Sequence, residues 1–143
     1  MTTTSTHTAP QSRRALRAAL WVAQILLAVM FGMAGLMKLS QPIDALATSL
    51  PWVTTVPEML VRFIGAAEFA GALGLILPAL TRIQPRLTAL AALGLIAVMV
   101  LASAFHASRG EFGMIPVNVV IAAIAGFVAW GRGKAAPIAP RGA

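Results

Sequence analysis

The chain contains no cysteine, and only 10% of its 143 residues are charged. Without cysteine, the protein cannot form disulfides, thiol redox relays or cysteine-ligated clusters. Soluble domains carry about 25% charged residues, so the shortage of charge excludes an ordinary soluble domain. A hydrophobic fraction of 59% and a mean hydropathy of +0.85 indicate a protein that lies in a lipid bilayer.

Acidic residues are scarce as well, with four against eleven basic residues and a net charge of +7. A basic chain can attract nucleic acid. Eight of the eleven basic residues, however, lie in the two tails and in one short loop between apolar runs. This distribution is typical of charges that set membrane topology. We therefore predict a lipid bilayer, and no nucleic acid, as the partner of the basic segments.

The usual patterns of a catalytic or metal site are also missing. No glycine-rich phosphate loop follows a strand, and a single histidine within the apolar region cannot build a nucleophile–histidine–acid set. His7 lies in a polar N-terminal segment, where we expect it to be solvated. His106 and scattered carboxylates lack the several His or Cys ligands of typical transition-metal sites. No metal site is predicted, and the sequence favours a protein without enzymatic activity.

Four apolar runs are each long enough to cross a bilayer, which takes about 20 residues. We predict an all-α, polytopic membrane protein that folds as an antiparallel bundle of four transmembrane helices. The charge-free stretch 18–37 is too long for the core of a signal peptide, which runs about 7–15 residues, so it is taken as the first helix. Pro78 is expected to end the second. The predicted helices are 18–37, 58–77, 87–105 and 114–130.

Flanking segments and basic residues predict the topology. Residues 1–15 and 132–143 are expected to be disordered cytoplasmic tails around a membrane domain of residues 16–131. Eight basic residues fall at the end of the bundle that holds both termini, whereas Lys38, Arg62 and Arg109 fall at the other end. By the positive-inside rule, both termini then lie in the cytoplasm.

The connection 39–57 is long for a loop within a bundle and contains three prolines. Ile43, Leu46, Ala47 and Leu50 recur at helical spacing, which predicts a short amphipathic helix in the membrane interface. Two interpretations are open. The segment caps the outer end of the bundle, which is the end opposite the two termini, or it only dips into the membrane interface without covering the bundle.

Glu68 lies ten residues after Glu58, hence about 15 Å along the second helix and near the middle of the bilayer. An ionisable group there costs roughly 2.5–3.5 kcal/mol and needs a partner. We predict Lys38 as that partner and His106 as the second in line. Gly35 and Gly65 would let the two helix backbones approach closely.

Lys38, His106, Glu111 and Asn118 all gather toward the outer end, above Glu68. One interpretation is a polar pocket for a small polar or quinone-like headgroup, in which Asn118 would hydrogen-bond a carbonyl. The other is a network whose polar groups satisfy one another and fix the packing of the helices. The sequence leaves both open.

Several short segments are informative in their order and spacing: Gly35–Leu39 (GLMKL), 64–78, 91–95, His106 with Gly110 and Glu111, Asn118, and Gly131 with Arg132. Together they resemble the DoxX-like family of small four-helix bacterial membrane proteins, over about residues 16 to 133. The resemblance implies a four-helix bundle in the bacterial inner membrane, with Lys38, Glu68, His106 and Glu111 as its polar signature. The family takes its name from a subunit of an archaeal terminal oxidase and thiosulfate:quinone oxidoreductase system.

Three functions follow as hypotheses. The first is an accessory or assembly subunit of a membrane complex, such as a respiratory or redox complex, without chemistry of its own. The second is a redox component that binds a quinone or another small molecule in the outer polar pocket. The third is a proton-coupled carrier that acts as an oligomer. The expected partners are the lipid bilayer and either another membrane protein or further copies of this chain.

Overall fold

The computed structural model of the chain describes residues 9–142, and within them every regular element is helical. Four helices are long and apolar enough to cross a membrane. The predicted all-α fold with four membrane-spanning helices is thus confirmed. The α-helices are α1 (Ala9–Ser40), α2 (Ile43–Ala47), α3 (Glu58–Thr81), α4 (Arg86–Ser108) and α5 (Ile115–Trp130), with 3₁₀ turns at Pro51–Thr55 and Phe112–Met114 and a π-helical turn at Gly131–Ala135.

The four long helices pack in chain order, with α1 against α3, α3 against α4, α4 against α5, and α5 back against α1. Consecutive long helices are antiparallel, so the bundle has two ends. We call the end with Ser40, Glu58 and Ser108 the cap end, and the end with Thr81 and Arg86 the terminal end. The main core consists of apolar side chains from all four helices, among them Leu27, Phe31, Leu75, Leu95, Met99, Ala125 and Val128.

Large hydrophobic side chains also cover the outside of the bundle. Leu26 and Met33 on α1, Leu77 on α3, Leu101 on α4 and Val120 on α5 are each at least half exposed. Soluble monomers rarely expose so large an apolar surface. These side chains face the lipid, and the protein is a multi-pass membrane protein.

Two helix ends differ from their predicted positions. Helix α1 begins at Ala9 instead of residue 18, because the basic stretch around Arg13, Arg14 and Arg17 contains good helix formers and no glycine.

Helix α3 continues through Pro78 to Thr81, so the prediction that Pro78 ends it was wrong. A proline near the end of a helix removes only one hydrogen bond. The helix stops at Arg82, whose φ of 60° is left-handed. Residues 1–8, including His7, lie outside the described part.

The connection between α1 and α3 contains the predicted short helix, although it ends at Ala47 and not at Leu50. A 3₁₀ turn, Pro51–Thr55, follows it. Leu46 and Val53 are completely or almost completely buried and pack with Val61 of α3 in a second hydrophobic cluster. The apolar side of this connection therefore packs against protein, and the connection covers the cap end. We call residues 41–57 the covering segment.

The C-terminal segment also differs from the disordered tail expected for residues 132–143. The chain stays helical from Gly131 to Ala135, and Arg132 is only 5% exposed. Further on, the backbone N–H of Arg141 donates to the Arg82 carbonyl at 3.0 Å, and Arg82 Nε donates to the Ala139 carbonyl at 3.0 Å. Contacts between segments that are distant in the sequence thus order residues that their composition assigns to a tail.

Candidate functional site

The crossing of α1 and α3 brings their backbones unusually close. A Cβ atom added to Gly35 would lie 2.7 Å from the Gly65 carbonyl oxygen, and one added to Gly65 would lie 2.7 Å from Lys38 Cβ. Only glycine fits at such distances. The predicted approach through Gly35 and Gly65 is confirmed.

This crossing positions an ion pair one turn further along each helix. Lys38 Nζ donates to Glu68 Oε2 at 2.7 Å. The two residues are only 6% and 5% exposed, so the pair lies inside the protein and away from lipid. Each charge thereby receives the partner that an ionisable group within a membrane requires.

Arg62 fastens the end of α1 to the start of α3. Its Nη1 donates to the carbonyls of Lys38, at 2.5 Å, and Gln41, at 2.8 Å. Its Nε and Nη2 donate to Glu58 Oε1. The i,i+4 spacing accounts for the contact with Glu58. The two carbonyl contacts depend on how α1 ends, which no local pattern indicates.

His106 lies in the last turn of α4, where its hydrogen-bond partner is Glu111 and not Glu68. His106 Nδ1 is 2.6 Å from Glu111 Oε2, and Arg109 Nε donates to Glu111 Oε1 at 2.8 Å. A carboxylate only accepts hydrogen bonds, so Nδ1 carries the hydrogen in this contact. The hydrogen bonds from His106 and then from Arg109 hold the pKa of Glu111 below its ordinary value of 4.5.

Arg109 also joins this cluster to the covering segment. Its Nη1 donates to Thr55 Oγ1 at 2.9 Å, and its guanidinium lies 5.4 Å from the ring centre of Phe105. Phe105 in turn meets Trp52 edge to face at 5.9 Å. The 3₁₀ turn is therefore fixed to the end of α4 by both polar and aromatic contacts.

Asn118 lies one turn inside α5 and is 7% exposed. Its Nδ2 has no hydrogen-bond partner among residues 9–142. The five predicted site residues thus form two separate contacts, Lys38 with Glu68 and His106 with Glu111, together with one unsatisfied amide. Residues 9–142 contain no group of three His, Cys, Asp or Glu side chains that could hold a metal ion.

Comparison with known proteins shows which family has this sequence pattern. The sequence model of the DoxX-like family matches residues 22–128, which include all five predicted site residues. The chain belongs to the DoxX-like family. No curated protein and no solved structure matches it.

This DoxX-like protein has a second buried polar cluster, at the terminal end, that the sequence analysis missed. Gln24 is completely buried and donates through Nε2 to the Leu75 carbonyl at 2.7 Å. Arg132 Nε donates to Gln24 Oε1 at 2.5 Å, and the Arg132 guanidinium lies 5.2 Å from the ring centre of Trp21. The available signals were a glutamine inside a predicted span and an arginine two residues after one.

Two apolar grooves run along the outside of this DoxX-like bundle. One, of about 390 Å³, lies between α3 and α4 and is lined largely by small residues, including Ala67, Ala70, Gly71, Gly74 and Gly94. The other, of about 620 Å³, lies between α1 and α5. Neither is lined by Lys38, Glu68 or His106.

Proposed function

We propose that this protein is an accessory or assembly subunit of a membrane complex and has no chemistry of its own. The observation that carries the proposal is the pairing of Lys38 with Glu68, whose charges neutralise each other inside the protein. A catalytic acid or base must be able to reach a substrate proton. Glu68, at 5% exposure and bound to Lys38, is placed to hold α1 against α3.

The groove between α3 and α4 is the surface that we propose for the partner, a transmembrane helix of another protein. Small residues at such a surface let two helix backbones approach closely within a membrane. A Cβ on Gly94 would have nothing within 4 Å. The groove therefore has room for another chain beside Gly94.

Gly94→Leu tests this proposal, because a Cβ at this position would meet nothing within 4 Å and the longer side chain would take up space in the groove. Ala97→Leu is the matched control, since Ala97 is an exposed residue of the same helix. We expect one membrane protein to co-purify in constant ratio with the wild type and with Ala97→Leu, and to be lost from Gly94→Leu. Equal recovery with all three would contradict the proposed surface. Loss of a second copy of this chain would assign the groove to a homo-oligomer.

Asn118 favours a second candidate, the binding of a small carbonyl compound such as a quinone at the cap end. A buried amide donor without a partner is costly, and a ligand carbonyl would satisfy Nδ2. We expect a gentle lipid extract of the purified wild type to contain a stoichiometric small molecule that is absent from Asn118→Leu. Identical extracts would contradict this candidate.

The carrier hypothesis has less support, because it requires Glu68 to exchange protons with water, whereas Glu68 is buried against Lys38. For location, we propose the bacterial inner membrane with both termini in the cytoplasm. The family and the charge difference between the two ends support this topology.

A further inference from the structure

The terminal end of the bundle concentrates positive charge. The eight basic residues that sequence analysis assigns to this end include Arg17, Arg86 and Arg132. The four side-chain carboxylates of the chain are all elsewhere: Asp44, Glu58 and Glu111 lie at the cap end, and Glu68 is bound to Lys38. A cation at the terminal end therefore has no Asp or Glu of this chain as a counter-ion.

Arg132 is the buried member of this group. Its Nε is satisfied by the neutral amide oxygen of Gln24 and its guanidinium lies over Trp21, but Nη2 has no hydrogen-bond partner among residues 9–142. Neither contact supplies negative charge, and the positive charge of Arg17 acts on the same guanidinium. A buried charge without a compensating charge is strongly unfavourable, so an anion beside Arg132 would stabilise it.

A second unsatisfied group lies at the same end. Thr88, in the first turn of α4, is completely buried, and its Oγ1 has no partner within the described part of the chain. Helix α4 packs against the Gly131–Ala135 turn there, since a Cβ on Gly133 would be 3.8 Å from Ala89 Cβ. A guanidinium N–H and a hydroxyl are both donors that an oxyanion accepts.

The depth of the site indicates which anion. Arg132 lies three residues before the end of the last candidate span, Phe112–Ala135. Trp21 and Trp130 lie close by in α1 and α5, and tryptophan marks the headgroup level of a bilayer. Phosphate groups are the abundant anions at that level, and arginine is the preferred side chain for phosphate.

We propose that the terminal end of the bundle binds a phosphate group, with the Arg132 guanidinium as its principal ligand and the Thr88 hydroxyl as a second donor. The phosphate can belong to a phospholipid headgroup or be a free ion. Arg132, Arg17 and Trp21 lie outside residues 22–128, the part of the chain that the family model matches.

Binding to the purified full-length protein in phosphate-free detergent tests the proposal. The probes are phosphatidylglycerol, diacylglycerol with the same acyl chains, and inorganic phosphate, with sodium chloride at equal ionic strength as the screening control. We expect phosphatidylglycerol to bind more tightly than diacylglycerol. Removing a charge-assisted hydrogen bond should weaken that binding about tenfold in Arg132→Gln, and the loss of one neutral hydrogen bond about threefold in Thr88→Val.

Arg14→Gln is the matched control, because it removes one positive charge from an exposed position at the same end. Binding of phosphatidylglycerol alone assigns the site to a lipid headgroup, and binding of inorganic phosphate alone assigns it to a free ion. Equal binding of diacylglycerol and phosphatidylglycerol, or equal loss in Arg14→Gln and Arg132→Gln, would overturn the proposal. So would a lack of binding to any phosphate probe, which would leave Arg132 to a carboxylate of a protein partner.

If Arg132→Gln fails to fold, Thr88→Val and the wild-type comparison of phosphatidylglycerol with diacylglycerol still decide the question. Neither depends on the α3–α4 groove. Failure of this proposal is therefore distinguishable from failure of the proposed accessory function.

Discussion

Glu68 shows how one carboxylate can be carried within a membrane-spanning helix. One turn before Glu68 on α3, Gly65 packs closely against Gly35 of α1. This close packing brings Lys38 Nζ within 2.7 Å of the Glu68 carboxylate. The stem of a lysine packs along apolar surface while its ammonium reaches a polar partner. The two charges therefore bind each other inside the protein, where an isolated charge would be far more costly.

The first prediction concerns this pair. Glu68→Gln or Lys38→Met leaves one buried charge without a partner, so we expect each to destabilise the protein by about 3–5 kcal/mol, by analogy with buried pairs in soluble proteins. The double variant should lose much less than the sum, because both charges are removed together. Unfolding in detergent or lipid measures the three losses. Glu58→Gln, at an exposed position, is the control and should change stability little. Simple additivity would show that Lys38 and Glu68 are not energetic partners.

Glu111 gives a prediction about pH. Its pKa lies below the ordinary value of 4.5 because His106 and Arg109 donate hydrogen bonds to its carboxylate. A carboxyl group whose pKa is lowered on folding contributes stability above its unfolded pKa, and this contribution is lost as the pH falls through the folded pKa. We expect the melting temperature to fall below about pH 4.5, and to fall less in Glu111→Gln.

Melting curves between about pH 7 and pH 3.5 check this prediction. Asp44→Asn, which removes an exposed carboxyl group of the covering segment, should keep the wild-type profile. If Glu111→Gln follows the wild type across the whole range, the hydrogen bonds to Glu111 do not contribute to stability.

At the scale of elements, glycine determines where helices meet. Gly35 and Gly65 lie at the crossing of α1 and α3, and Gly71 and Gly74 lie against Leu95 and Ala91 of α4. Small residues are the usual means by which helices pack in a bilayer, where apolar surface gains little by leaving lipid. Gly35, Gly65, Gly71 and Gly74 therefore serve helix packing within this chain. Gly94 does not, because a Cβ there would meet nothing within 4 Å.

Gly65→Ala and Gly94→Ala test this contrast. The alanine Cβ at position 65 would lie 2.7 Å from Lys38 Cβ and 3.0 Å from the Gly35 carbonyl oxygen, so we expect a loss of about 1–3 kcal/mol from overpacking. Gly94→Ala meets nothing and should leave stability unchanged or slightly raised, since alanine favours the helix. Unfolding under the same conditions measures both. Equal effects of the two substitutions would contradict the close crossing of α1 and α3.

At the scale of the whole molecule, the two ends of the bundle differ in chemistry. The cap end holds paired charges of both signs beneath a folded covering segment, whereas the terminal end holds basic residues without side-chain carboxylates. Basic residues are enriched on the cytoplasmic side of membrane proteins. The difference in charge between the two ends therefore predicts that the terminal end faces the cytoplasm, and the same basic residues favour the proposed phosphate site.

The absence of cysteine makes this orientation directly testable. Thr48→Cys would place a thiol on the covering segment, and Lys134→Cys would place one at the terminal end, both at exposed positions. With both termini in the cytoplasm, a membrane-impermeant maleimide should label Thr48→Cys on intact cells and Lys134→Cys only after permeabilisation. The reverse pattern would show the opposite orientation, and labelling of both on intact cells would contradict four spans.

The sequence by itself determined the fold class and the helices. Hydrophobic runs of bilayer length require helices, because only hydrogen bonds within the segment can satisfy the backbone in lipid. The contact of Glu68 with Lys38 was also predictable, since a charge at that depth needs a partner and adjacent antiparallel helices bring few candidates near it. Short-range rules were less reliable at the ends, where α3 passes Pro78 and α1 begins nine residues early.

Only the tertiary structure decided which other polar groups meet. His106 has Glu111 as its partner because α4 extends one turn past Phe105 and the chain then reverses. Gln24 meets Arg132 across 108 residues, since α5 returns to α1 to close the bundle and its last turn continues inward. A composition rule assigns GRGKAAPIAPRGA to a tail because it counts only local hydrophobicity. The contacts of Arg132 with Gln24 and Trp21 come from α1, and no short window of sequence contains both ends of them.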